Sequence, residues 1–308
     1  MAFYKVYNFK LKQGKKMIKK IVAVGLGLAV SSSLVFADPV IPRGDFGAKL
    51  AKAAGAPGQF IKTKENFPKD YFLVNNNLPF LAGLSLHHPM SSSLGLTKKQ
   101  IKAIGAIKKK TVPPVVKASQ DVKMLELKLA QNIAIDTNTA KSQFELVDAI
   151  SKVRTDLTKA HLQCINDVRA VLTKEQYQKM LKYATKLAQG KNKKFMIDEL
   201  VKLPHPGKLI KMGKVIVDKK LKKQIGKDVK KVYAPIFQEK MRAAFKLEKQ
   251  VQRMVTKGKT KDDLKDILDK ISKLKRDAIN SRIDALNHMQ KLMTKKQWKQ
   301  VNKFTYKK

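Results

Sequence analysis

The stretch DAISKVRTD (Asp148–Asp156) returns 121 residues later as DKISKLKRD (Asp269–Asp277). The same spacing carries LTKEQY, from Leu172, onto MTKKQW, from Met293, and Pro114 onto Pro235. No gap is needed between Asp148 and Tyr183. A repeat this long marks duplicated structure rather than shared composition. It divides the chain into a first unit over 77–190 and a second, more degenerate unit over 191–308. Gly190 and the following KNKK mark the joint: a helix-ending glycine, then a charged linker. The apolar lead-in repeats as well, with LVKLPHP echoing GLSLHHP.

Around the repeat, apolar residues recur with a helical period. Ile150, Val153, Leu157, Cys164 and Val168 fall on one face, and their repeat partners are Ile271, Leu274, Ala278, Ala285 and Met289. This is the stripe of a long bundle helix. Lys, Leu, Ala and Gln dominate elsewhere, so the chain reads as all-α, with four helices per unit. In the first unit the pattern predicts helices over 97–110, 115–135, 142–171 and 174–189. VPP (Val112–Pro114) is expected to break the first from the second, and APIF to do so in the second unit.

Three pentapeptides mark helix starts: LTKKQ (Leu96–Gln100), LTKEQ (Leu172–Gln176) and MTKKQ (Met293–Gln297). Thr-x-x-Gln is a capping box. The threonine hydroxyl accepts from the backbone N–H three residues on, and the glutamine reaches back to the threonine N–H. Thr97, Gln100, Thr173, Gln176, Thr294 and Gln297 take these roles. At the place of a fourth copy stands VDKKL (Val217–Leu221). Asp218 still caps, while Leu221 cannot complete the box.

The chain begins with a compartment signal. MIKKIVAVGLGLAVSSSLVFADP has two lysines, a short apolar run and small residues before a cut after Ala37, the pattern of a secretory signal peptide. Residues 1–16 read as extra sequence upstream of a start at Met17. The expected location is the periplasm. The full chain carries 66 Lys and Arg against 24 Asp and Glu, a net charge of +42. Loss of residues 1–37 removes seven lysines and no acid, leaving +35. Such a field favours polyanions, anionic lipid surfaces or acidic proteins. Most of the charge is lysine, which lacks the bidentate fork of arginine, so specific base reading is not expected. Residues 38–76, rich in Gly, Pro and Lys, read as a flexible arm. Cys164, the single cysteine, excludes an internal disulfide, and its place on the core stripe reads as a small buried residue.

The paired boxes behind an export signal, in a Lys- and Met-bearing chain without a cysteine framework, resemble the Spy/CpxP family of periplasmic LTxxQ-motif proteins. The resemblance covers about 95–185 well and about 215–305 in degraded form. It implies small all-helical protomers that pair into a cradle, acting as ATP-independent chaperones or envelope-stress regulators; some relatives bind metal. Doubling the unit in one chain departs from that pattern. It implies an intramolecular version of the cradle, a monomeric pseudo-dimer, with a homodimer as the alternative.

The expected function is therefore capture of unfolded or partly folded client proteins, and anionic surfaces are further candidate partners. The alternatives are a stress sensor docking onto one membrane partner, and a polyanion or metal binder. The second helix of each unit interleaves Met, Phe and Leu with cations. Lys117, Lys123, Met124, Met241, Arg242, Phe245 and Lys246 are its candidate client-binding residues, on the logic of a basic field around adaptable methionine contacts. The histidines His87, His88, His161, His205 and His288 lack the clustering of metal ligands and read as loop or surface residues. No HExxH or GxSxG occurs, and GKLIKMGK (Gly207–Lys214) is mis-spaced for a phosphate loop, so neither an enzyme nor a cofactor is expected.

Overall fold

The structure, a computed structural model, describes residues 72–74, 78–87, 91–135, 139–188 and 203–306. The expected export signal over 1–37, most of the expected arm over 38–76 and the joint at Gly190 lie outside the described residues; the arm's Phe72, Leu73 and Val74 are described and are buried in the core rather than part of a flexible arm. Every regular element among the described residues is helical, so the fold is all-α. A short helix α1 (Leu81–His87) leads through a 3-10 turn (Ser91–Leu94) into α2 (Lys98–Ile135). A second 3-10 turn (Lys141–Gln143) opens α3 (Phe144–Val171), and α4 (Lys174–Ala188) follows. After it come α5 (Pro206–Lys211), α6 (Lys219–Asp228), a π turn (Val229–Tyr233) and α7 (Ala234–Thr256). The chain then forms α8 (Lys265–Leu292) and α9 (Lys295–Tyr306).

The predicted break at Val112–Pro114 is absent. Pro113 and Pro114 lie inside α2, which runs unbroken for 38 residues. A proline in a helix removes one hydrogen bond and crowds the carbonyl four residues back, at a cost of about 3 kcal/mol. Here both prolines are exposed, as are Lys109 and Lys110, whose carbonyls lose their helical donors to water rather than to the core. On either side Ile104 and Val115 are buried, and Ser119 Oγ donates to Val115 O at 2.7 Å. Core packing holds the two arms of the helix in line.

In the second half the same region forms the π turn. Ala234 N donates to Val229 O, five residues back. Pro235 then falls in the first turn of α7, where its missing N–H costs least. A π turn takes up one extra residue. Before it, buried Ile104 and Ile225 keep the 121-residue spacing. Beyond it, the buried positions correspond one residue further apart: Val115 with Phe237, Val122 with Ala244, Leu129 with Val251 and Ile133 with Val255.

The long helices α3 and α8, 28 residues each, pack on one another, α2 lies on α3, and α7 lies on α8. Two apolar clusters fill the interior, and each draws residues from both halves of the sequence. One joins Ile150 and Leu157 to Ile283, Leu286 and Trp298; the other joins Leu162, Ile165 and Met180 to Val251, Leu268 and Ile271. Where α3 meets α8, Ser151 Oγ lies 2.7 Å from Ser272 Oγ, and these serines are 121 residues apart, repeat equivalents in direct contact.

Candidate functional site

The capping boxes form as their spacing predicts. Thr97 N donates to Gln100 Oε1 at 3.0 Å, and Gln100 N to Thr97 Oγ1 at 3.2 Å. The corresponding distances at Thr173 and Gln176 are 2.9 and 3.1 Å, and at Thr294 and Gln297 they are 2.9 and 3.2 Å. Asp218 accepts from Leu221 N at 2.7 Å. A further pair of boxes escaped the sequence reading. Thr139 and Ser142 exchange such bonds before α3, and Thr260 and Asp263 do so before α8. The bonds from Thr260 hold the exposed Asp263 carboxyl below its ordinary range.

The glutamines do more than close their boxes. Gln100 Nε2 donates to Gln176 Oε1 at 2.8 Å and to Val171 O at 2.9 Å. Gln176 Nε2 reaches Leu94 O and Gly95 O, both at 3.3 Å. Each glutamine thus ties its own helix start to the turn that precedes the other box. This fastens the start of α2 to the start of α4. In the second half Gln297 Nε2 donates to Ile216 O at 3.1 Å, the repeat equivalent of the bond to Gly95. The return bond has no counterpart, because Leu221 has no amide; it is half-buried against the core with Leu292 instead.

A second set of contacts crosses between the halves. Tyr177 on α4 donates its hydroxyl to Val255 O, at the end of α7, at 3.3 Å. Its repeat partner Trp298 on α9 donates Nε1 to Ala134 O, at the end of α2, at 3.0 Å, and Asn302 Nδ2 donates to the same carbonyl at 2.6 Å. The last helix of each half therefore satisfies a C-terminal carbonyl of the other half's long helix, where orphan acceptors collect. Beside this clasp, Arg169, Tyr177, Gln178, Thr256, Lys257 and Gly258 line an open hollow.

Two buried ion pairs repeat as well. Arg154 on α3 pairs with Glu126 on α2. Its repeat partner Lys275 on α8 pairs with Glu248 on α7 at 2.6 Å, with 7% and 5% of the two side chains exposed. Burial pushes the Glu126 carboxyl above its ordinary range, and the Arg154 guanidinium offsets part of that rise. The acids correspond only through the π-turn register, so a constant 121-residue spacing hides them.

The candidate client-binding residues do not share one environment. Lys117, Arg242 and Lys246 are exposed, Met124 is half-buried, and the side chain of Lys123 lies outside the described set. Phe245 is half-buried, with Lys249 Nζ 4.7 Å from its ring centre. Met241 is not a surface residue: it is 4% exposed and packs in the core with Phe237. The π turn rotates α7 relative to its sequence pattern and brings Met241 to the position of buried Ser119. On this rod the exposed apolar side chains are Val232 (51%) and Ile236 (43%), one helical turn apart, with exposed Lys230, Lys231, Arg242 and Lys246 beside them; Ile216, Phe144 and Met212 are exposed elsewhere.

Of the histidines read as loop or surface residues, His161 parts from that expectation, while His88 and the side chain of His87 lie outside the described residues. His161 is buried, stacked 4.5 Å from Phe80 and 5.3 Å from Phe72 by ring centres. His205 Nε2 lies 2.6 Å from Arg282, and His288 Nε2 lies 2.8 Å from Asp228 Oδ2. The bond to His288 holds the Asp228 carboxyl below its ordinary range. Among the described residues no three His, Cys, Asp or Glu side chains gather to hold a metal. Cys164 is half-buried on α3, and burial pushes its thiol up to about 11. No helix among the described residues is long and apolar enough to cross a membrane. No protein-family model, curated protein or solved structure matches the chain.

Proposed function

We propose that the protein is an exported, ATP-independent binder of unfolded or partly folded polypeptides, built as two tandem Spy/CpxP-like units paired in one chain as an intramolecular cradle. The pairing is supported by the serine contact between repeat equivalents and by the reciprocal Tyr177 and Trp298 bonds. The binding role rests on one observation above the others. Val232 and Ile236 stand exposed on a rod studded with exposed lysine and arginine. A client would be drawn in by the basic field and then held by apolar contact.

Aggregation of an unfolding client without ATP tests the proposal. Suppression at about 10 mM salt that weakens at about 150 mM, as the Debye length falls from about 30 to about 8 Å, is the expected outcome. No suppression by the folded protein at low salt would overturn it. Binding to a polyanion with a steep salt slope, regardless of client folding state, would favour the polyanion reading instead, to which the net charge of +42 also points.

A further inference from the structure

Residues Phe72, Leu73 and Val74 form no helix, yet each is 1% exposed. They lie between helices far away in sequence. Leu73 N donates to Arg154 O at 3.0 Å, and Val74 N donates to Thr158 Oγ1 at 3.2 Å, both on α3. Lys275 Nζ on α8 donates to Leu73 O. The side chains then divide between the two interior clusters. Phe72 enters one, against the His161 ring, and Leu73 and Val74 enter the other. The segment bends between the helices, held by its main chain and by apolar side chains divided between the two clusters. Main-chain bonds combined with apolar pockets are how a surface receives a peptide without reading its polar sequence.

We propose that the channel between α3 and α8 is an acceptor site for a short apolar segment of a client polypeptide, which enters as residues 72–74 leave. This inference rests on the polypeptide-binding function and gives it a site. Recognition through backbone N–H and C=O groups accepts any chain. The apolar clusters select hydrophobic residues, the ones a native protein hides and an unfolded one shows. The resident segment is tethered, so it competes at a high effective concentration. Client affinity is reduced by the fraction of time the channel is filled. The result is weak, reversible capture.

A fluorescent peptide with the sequence YFLVN, that of Tyr71–Asn75, probes the channel in the full chain. The triple variant Phe72→Ser, Leu73→Ser, Val74→Ser is expected to bind it about 10-fold or more tightly than the unaltered protein, with helix content retained. A folded triple variant that binds no better overturns the proposal. Should that variant lose its helix content, Lys275→Met with Glu248→Leu serves instead. It removes the ion pair as a unit together with the donor to Leu73 O, a change that cores commonly tolerate. Faster amide exchange at Leu73 and Val74, unchanged protection of α3 and α8, and tighter peptide binding are expected; unchanged peptide affinity overturns the proposal. Peptide binding without suppression of client aggregation would keep the channel and remove the chaperone reading. Suppression without peptide binding by the opened variants would remove the channel alone.

Discussion

At Gln100 and Gln176 one side chain serves two tasks, and the tasks can be separated. The box bond to the threonine N–H holds a helix end. The amide nitrogen holds a second helix start, 76 residues away. Replacing Gln100 with leucine reproduces what the second half has at Leu221, and should cost about 1–2 kcal/mol, the worth of one or two hydrogen bonds. The double replacement of Gln100 and Gln176 should cost less than the sum of the singles, by about 1 kcal/mol, because each loses the same shared bond. Chemical denaturation of the four proteins measures the difference; strict additivity would mean that the two glutamines act only as separate caps. Cys164 offers a second residue-scale test. Its thiol is raised from about 9 to about 11, so at neutral pH the reactive thiolate is about 100-fold scarcer than in the unfolded chain. Alkylation of the native protein should be slower by about that factor, and should recover on unfolding.

The repeated helices show what an element retains when one residue is inserted. Twelve steps separate Ile225 from Phe237, where eleven separate Ile104 from Val115. The π turn absorbs the difference, and Ser281 Oγ props its Tyr233 carbonyl from α8 at 3.2 Å. Deleting Val232, which is exposed, should convert the turn to plain α-helix. Phe237, Met241, Ala244 and Glu248 would stay where they are, at a stability cost below about 1 kcal/mol. Deleting Arg242, also exposed, should instead be severe, because Phe237 and Met241 lie between it and the turn: either Glu248 rotates by about 100° away from Lys275, or the turn closes and rotates the buried Phe237 and Met241 in its place. Circular dichroism melts of the two deletions separate these outcomes. The contrast also explains what could be read from the chain alone. Capping boxes and helix starts were legible, because their signals are local: the expected starts at 97, 142 and 174 fall within two residues of Lys98, Phe144 and Lys174. The unbroken passage through Pro113 and Pro114, the burial of Met241 and the match of Glu126 with Glu248 were not. Each depends on packing from another helix or on a register that the π turn shifts. The Gln100–Gln176 bond was hidden for the same reason, since spacing within a motif does not say which motif lies beside it.

For the whole molecule, the net charge of +42 and the contacts between halves act in opposition. Like charges spread over an all-helical body repel one another and lower its stability, and dissolved salt relieves that repulsion. The clasp resists separation through neutral groups, Tyr177 and Trp298 donating to backbone carbonyls, and through the paired serines, which salt scarcely affects. Raising salt from about 10 to about 150 mM should therefore raise the melting temperature while weakening the proposed field-steered capture of clients, two effects of opposite sign from one cause. Trp298 is the single tryptophan and sits in the clasp, so its fluorescence reports the junction while circular dichroism reports all the helices. If the halves are one cooperative body, the two signals should fall together at every salt concentration. Trp298→Phe, which keeps an aromatic side chain but removes the donor and part of the buried indole, serves as the stability control: followed by circular dichroism, it should shift the transition by about 2 kcal/mol without splitting it. A fluorescence transition that precedes helix loss at low salt would show instead that charge repulsion parts the halves before either unfolds.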